Sequence, residues 1–221
     1  MATSLDHIYH YYVANVSDRQ SRLSQKIGDT DWTFDMATGT LTFGSLSLSV
    51  QLLGTEAYGN GSWLWSWANT QSDIPEHLTI HARAIRDYGQ KHGIPEFVEP
   101  QVSLDAVDGH QLSVAAAGLM EASAYYRGPY EGGALYMLIN DAQITPSRSD
   151  PMARLSMRFA EAVSNFSIPR HKDALLGYAL TLGLATTEPD EATVIVSSAT
   201  GTCTANFDDR GRIIGIDTKL A

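Results

Sequence analysis

The stretch DWTFDMATGTLTFGSLSLSVQL, residues 31–52, decides the fold class. Trp32 and Phe34 alternate with Asp31, Thr33 and Asp35; Leu41 and Phe43 alternate with Thr40 and Thr42. Leu46, Leu48, Val50 and Leu52 then alternate with Ser45, Ser47, Ser49 and Gln51. A period of two sets one apolar face against one polar face, the pattern of antiparallel strands packed on one side. Asp35-Met36-Ala37-Thr38-Gly39 supplies the first turn, with Gly39 able to take the positive φ of a bulged hairpin loop. A fourth strand, 62–69, follows Gly59-Asn60-Gly61 and completes an antiparallel meander.

Outward from the meander the period changes to that of helices. Leu5, Ile8, Tyr9, Tyr12, Val16, Leu23 and Ile27 recur at three- and four-residue steps, which predicts a helix closed by Gly28. A second helix is expected after Pro75 as far as Lys91, and a third from Asp108, with Gln111 in the capping-box position, to about Glu121. Tyr125-Tyr126 and 134–139 read as strands around a loop, 127–133. Asp150-Pro151 joins a capping carboxylate to a proline at the first helical position, so a helix is expected there, followed by another over 171–184. The chain closes with strands at 193–196, 202–207 and 212–217. The expectation is a single α+β domain, 1–221, with antiparallel sheets from the N-terminal meander and the C-terminal strands packed against helices. A division into two lobes would fall near 95–105, a connector or extended edge segment.

Of the 221 residues, 43% are hydrophobic and 18% charged, enough apolar material for a sizeable core. The net charge of -10, with only 15 Lys and Arg, makes nucleic acid and anionic membrane surfaces poor partners. The opening residues lack a basic segment followed by an apolar one, and the longest apolar run, 175–185, is too short to span a bilayer. Cytoplasm is the expected location. A lone Cys203 excludes an intramolecular disulfide and a cysteine-rich zinc site.

Three groups of residues invite a functional reading. Trp63, Trp65 and Trp67 stand two apart, so a strand would place three indoles on one face. They are either core beneath a helix or the wall of a pocket for a small apolar or aromatic ligand, with Trp32 and Phe34 across the sheet and Glu56 and Asn69 as polar anchors. Gly61-Ser62-Trp63-Leu64-Trp65-Ser66-Trp67-Ala68-Asn69 resembles the tryptophan signature of an uncharacterised family of bacterial proteins. Trp32-Thr33-Phe34-Asp35, Thr38-Gly39 and Tyr126-Arg127-Gly128-Pro129 fit the same pattern. The resemblance implies no activity, cofactor or residue role.

The second group, Tyr125, Tyr126, Arg127, Tyr130 and Glu131, combines aromatic area with a charge pair beside glycines, as a protein-contact loop would, or marks an ordinary hairpin. The third is His77 and His81, four apart on an expected helix and able to face one metal ion, with Tyr88 on the same flank. Two ligands do not make a site, and His7 and His10 would complete it only if the fold brought the first helix close. The sequence carries no nucleophile elbow, phosphate loop or complete dinucleotide fingerprint, and no cofactor is implied. The leading expectation is therefore a non-catalytic binding module for a small molecule or a protein partner. A metal-assisted hydrolase using His77 and His81, and an immunity-like protein that binds a basic partner through its negative charge, are the alternatives.

Overall fold

A computed structural model describes residues 4–144 and 149–221. Helix α1, Leu5–Ile27, follows the expected spacing at Leu5, Ile8, Tyr9, Val16 and Leu23, which are buried; Tyr12 and Ile27 are half-buried, Val13 joins the buried face, and Gly28 ends the helix with φ +54°. Antiparallel sheets and helices make an α+β protein. The chain divides into two compact units, one built mainly on residues 19–144 and the other on 6–18 with 149–221, so that α1 contributes to both. Residues 95–105 lie inside the first unit.

The first unit holds β1 (Trp32–Asp35), β2 (Thr40–Phe43), β3 (Leu46–Ala57), β4 (Ser62–Trp65), α2 (Ile80–His92), α3 (Pro95–Val98), β5 (Gln101–Ser103), α4 (Gly109–Leu119), β6 (Ala124–Tyr130) and β7 (Gly133–Ile139). Its strands form one antiparallel sheet in the order β1-β2-β3-β4-β5, with β7 also paired to β3 and β6 added beyond β7. The Asp35 turn forms as expected: the carboxylate accepts from the Ala37 N–H at 2.9 Å and the Thr38 hydroxyl at 2.8 Å, and Gly39 has φ +67°.

Strand β3 runs five residues past Leu52, where the sequence pattern ends. Its register with β7 passes from Leu52 opposite Met137 to Gly54 opposite Tyr136, so Leu53 is an extra residue, a β-bulge. A bulge turns every later side chain to the other face. Before it, Leu48, Val50 and Leu52 share a face with Leu41, Phe43, Met137 and Ile139, and these pack with Leu23 and Leu78 into one core cluster. Each such side chain contributes roughly 1.5–3 kcal/mol relative to exposure. After the bulge, Gly54 and Glu56 share the opposite face with Trp63, Trp65, Ala134 and Tyr136. Helix α4 packs on this part of β3 and β7, its run Val114-Ala115-Ala116-Ala117 fully buried.

The second unit pairs α5 (Pro151–Asn165) and α6 (His171–Thr181) with a four-stranded antiparallel sheet: β8 (Ala185–Asp190), β9 (Thr193–Ser198), β10 (Gly201–Phe207) and β11 (Ile213–Leu220). The order is β11-β10-β9-β8. Asp150 caps α5 by accepting from the Ala153 N–H at 3.0 Å, with Pro151 at the first position, as expected. Gly177 of α6 lies so close to α1 that a Cβ there would stand 2.1 Å from the Tyr11 carbonyl oxygen. Strand β8 has no counterpart in the sequence reading: all six residues are exposed, so no apolar alternation marks it.

Candidate functional site

The bulge that turns Glu56 and the tryptophans to one side turns a different set to the other. Thr55 and Ala57 lie opposite Leu64 and Ser62 of β4, and Thr55 lies opposite Leu135 of β7. These residues, with Leu52 and Ser66, floor a pocket of about 780 Å³. Phe34 and Met36 of the first hairpin, Asn69 to Ile74 after β4, Gln101 of β5 and Tyr130 of β6 complete its walls. Among the described residues, not one of its lining side chains is Asp, Glu, Lys, Arg or His.

Several lining polar groups are already tied to the protein. The Ser66 hydroxyl donates to the Leu52 carbonyl at 2.6 Å. Gln101 Nε2 donates to Ser62 Oγ at 2.7 Å, and Ser62 Oγ donates to Asn60 Oδ1 at 2.7 Å. Asn69 Oδ1 accepts from the Gln71 and Ser72 N–H groups, each at 3.2 Å.

The tryptophans stand elsewhere. Trp63 and Trp65 are fully buried on the helix-covered face, edge to face with one another at 5.4 Å, and Trp65 Nε1 donates to the Glu96 carbonyl at 2.9 Å. Strand β4 ends at Trp65, so Trp67 falls in a 3-10 turn, 66–68, and does not continue the row; the Arg86 guanidinium covers its ring at 5.3 Å. Of the residues expected to surround a ligand, Asn69 and Phe34 line this pocket, whereas Trp32, Glu56, Trp63, Trp65 and Trp67 do not.

Glu56 is buried in a second polar constellation on the tryptophan face. Its Oε1 accepts from the Tyr136 hydroxyl at 2.9 Å and from the Gly109 N–H at 3.1 Å, at the start of α4. Arg127 Nε donates to Tyr136 Oη at 3.1 Å and lies 3.7 Å from Glu56 Oε2, while its Nη2 donates to Tyr58 Oη. Burial, then the bond to Glu56, holds the Tyr136 phenol well above its ordinary value. His110 Nδ1 meets the Tyr125 hydroxyl at 3.0 Å, and desolvation lowers the imidazole's pKa. Glu56 and Arg127 thus come together, though the sequence placed them in separate groups.

The expected contact loop is mostly a strand. β6 extends through Tyr130, because Gly128 and Pro129 pair with Leu135 and Ala134, leaving only 131–132 as the turn. Alternation then splits the set: Arg127 lies opposite Tyr136, whereas Tyr126 lies opposite Met137 on the core side and Tyr130 borders the pocket. Glu131 is exposed in the turn. The expected helix over 75–91 is likewise divided, with His77 in a 3-10 turn, 76–78, and His81 in α2. The His77 carbonyl accepts from Gln51 Nε2 at 2.8 Å, and the His81 ring meets Asn140 Nδ2 at 3.1 Å. Among the described residues no group of three or more His, Cys, Asp or Glu is placed to hold a metal ion, and no helix is long and apolar enough to cross a membrane.

A family model of unknown function, DUF6882, matches residues 6–142. The chain belongs to this family. The match takes in all four segments quoted for the sequence resemblance, and the structure brings two of them into contact. The Trp32 ring lies on Gly128, where a Cβ would stand 2.7 Å from Cη2, and meets Tyr126 edge to face at 5.9 Å. Both the pocket and the Glu56 constellation fall within the matched residues, whereas α5, α6 and the second sheet lie beyond them. No curated protein and no solved structure matches the chain.

The pocket's signal in the sequence is the set between the tryptophans. Ser62, Leu64 and Ser66 alternate with Trp63 and Trp65, so the small and aliphatic residues of this stretch face the cavity while Trp63 and Trp65 take the core alternative beneath the helix.

Proposed function

We propose that the first unit is a binding module for a small uncharged molecule, held in the pocket floored by Leu52, Thr55, Leu64 and Leu135. The observation that carries this reading is the lining without Asp, Glu, Lys, Arg or His, in a chain of net charge -10. An ion entering such a pocket would lose hydration with no countercharge to offset it, whereas a neutral ligand escapes that penalty. The volume suits a ligand of drug size, for which pockets run roughly 300–1,000 Å³ with a few placed polar groups. Here those groups are carboxamides and hydroxyls, which orient a ligand without selecting charge.

Amide chemical shifts of isotopically labelled protein, followed against a library of neutral, cationic and anionic fragments, test the reading. Neutral fragments are expected to move the signals of Thr55, Leu64, Ser66 and Gln101, and Leu64→Arg to abolish those shifts while leaving the urea midpoint close to the parent's. Preference for charged fragments, or binding indifferent to Leu64→Arg, would sink it.

A further inference from the structure

The polar side of the pocket is not a scatter of amides. Ser62 Oγ accepts from Gln101 Nε2 and donates to Asn60 Oδ1, both at 2.7 Å, so one hydroxyl fixes which way two carboxamides face. Each primary amide carries a carbonyl and an NH₂. With its NH₂ engaged, Gln101 offers its carbonyl Oε1; with its carbonyl engaged, Asn60 offers its Nδ2. A defined acceptor and a defined donor therefore flank Ser62 in the lining. A third carboxamide follows the same logic, since Asn69 Oδ1 is taken by two backbone N–H groups and Nδ2 is left as a further donor.

We propose that this pocket reads the donor–acceptor edge of a planar heterocycle that carries a hydrogen-bond donor beside an acceptor, the chemical class of the nucleobases and their neutral nucleosides, with Asn60 and Gln101 as the reading pair. A neighbouring acceptor and N–H on one base edge complement a donor and an acceptor, and side-chain carboxamides are suited to pairing with base edges. Phe34 and Tyr130 give the lining two aromatic rings, and Leu52, Leu64, Ile74 and Leu135 give it apolar area for a flat ring system. A simple hydrocarbon would leave the amide groups desolvated and unpaired, at a cost that a matching edge avoids. The inference rests on the binding-module reading above and narrows its ligand.

The experiment titrates adenosine, guanosine, cytidine and uridine, each at millimolar concentration, into the full chain, with glucose and cyclohexanol as neutral probes that lack a planar donor–acceptor edge. The side-chain NH₂ signals of Asn60, Gln101 and Asn69 are followed. At least one nucleoside is expected to shift the Asn60 and Gln101 signals, and Asn60→Asp and Gln101→Leu each to weaken it about tenfold or more. Tighter binding of glucose or cyclohexanol than of every nucleoside, at the same pocket, overturns the base-edge inference and leaves the binding module standing. No response to any nucleoside also overturns it, and the fragment library then judges the pocket by itself. A nucleoside that binds equally well to Leu64→Arg overturns both.

Discussion

The indole of Trp63 rests on the α-carbon of Gly54: a Cβ at Gly54 would stand 2.4 Å from Cζ2 and 2.6 Å from Cε2, and 2.7 Å from the Leu64 carbonyl oxygen. Trp63 is fully buried and edge to face with both Trp65 and Tyr136, so it has no room to retreat. Gly54→Ala is therefore expected to destabilise the protein by about 1–3 kcal/mol, the usual cost of overpacking a filled core. A lower urea midpoint with an unchanged slope would show it. Gly128→Ala, against the half-buried ring of Trp32 at 2.7 Å, is expected to cost less because that ring has solvent on one side. Equal midpoints for Gly54→Ala and the parent would refute the assignment of Trp63 to a rigid core.

That contact also marks where the sequence stopped being legible. From Trp32 to Leu52 the alternation reports burial directly: Leu48 and Val50 are buried, Ser47 and Ser49 exposed. At Leu52-Leu53-Gly54 three consecutive residues are buried, and no two-residue pattern survives a bulge. The exchange of faces beyond Leu53 decides that tryptophans meet helices and that Ser62, Leu64 and Ser66 meet a cavity. Caps were easier, because they are local: Asp108 accepts from the Gln111 N–H at 2.6 Å and Asp150 from the Ala153 N–H, both at positions the sequence marks. The pocket's polar wall depends instead on Gln101 reaching Ser62 across 39 positions, and spacing carries no trace of that.

Tyr136 and Glu56 form the buried centre of the second constellation, and removing one partner strands the other. Tyr136→Phe deletes the hydroxyl that donates to Glu56 Oε1 and accepts from Arg127 Nε. A loss of about 1–3 kcal/mol is expected, the cost of an unsatisfied buried group. Glu56→Gln together with Tyr136→Phe is expected to cost less than the sum of the single changes, since the second change removes an interaction already broken. Additive costs in a double-mutant cycle would show that the two groups are not coupled.

His10 on α1 is buried, and desolvation first of all lowers its pKa from 6.5, against the opposing pull of Asp6 and Asp173. A base whose folded pKa lies below its unfolded value binds more protons when unfolded, so stability falls as pH drops below about 6.5. The loss levels off below the folded pKa. His81, His110 and His171 are shifted in the same direction by desolvation and act in the same window. The carboxylates of Asp150, which caps α5, and of Asp208, in the turn between β10 and β11, are held below 3.8 by hydrogen bonds, led by the Ala153 and Arg212 N–H groups, so their contribution is lost only at more acid pH. Urea midpoints between pH 7 and pH 5 are expected to fall for the parent and to fall less steeply for His10→Asn. Parallel pH profiles would remove His10 from this account.

Asp18 is 2% exposed and lies 3.8 Å from Arg154 Nη1 and 3.7 Å from Arg158 Nε. Arg158 has a second carboxylate, Glu161, at 2.7 Å, whereas Arg154 is 8% exposed and its Nε and Nη1 have no hydrogen-bond partner among the described residues. Asp18→Asn would thus leave Arg154 as a buried charge without the carboxylate that lies 3.8 Å from it. Breaking a buried pair from one side costs about 3–5 kcal/mol, because the remaining ion has lost its hydration and gained nothing. Asp18→Asn is expected to show a loss of that order in urea denaturation. Adding Arg154→Met, which removes the stranded charge and keeps much of the side-chain volume, is expected to restore part of the loss. If the double variant were less stable than Asp18→Asn alone, the damage would come from lost packing around Arg154 and not from an uncompensated charge.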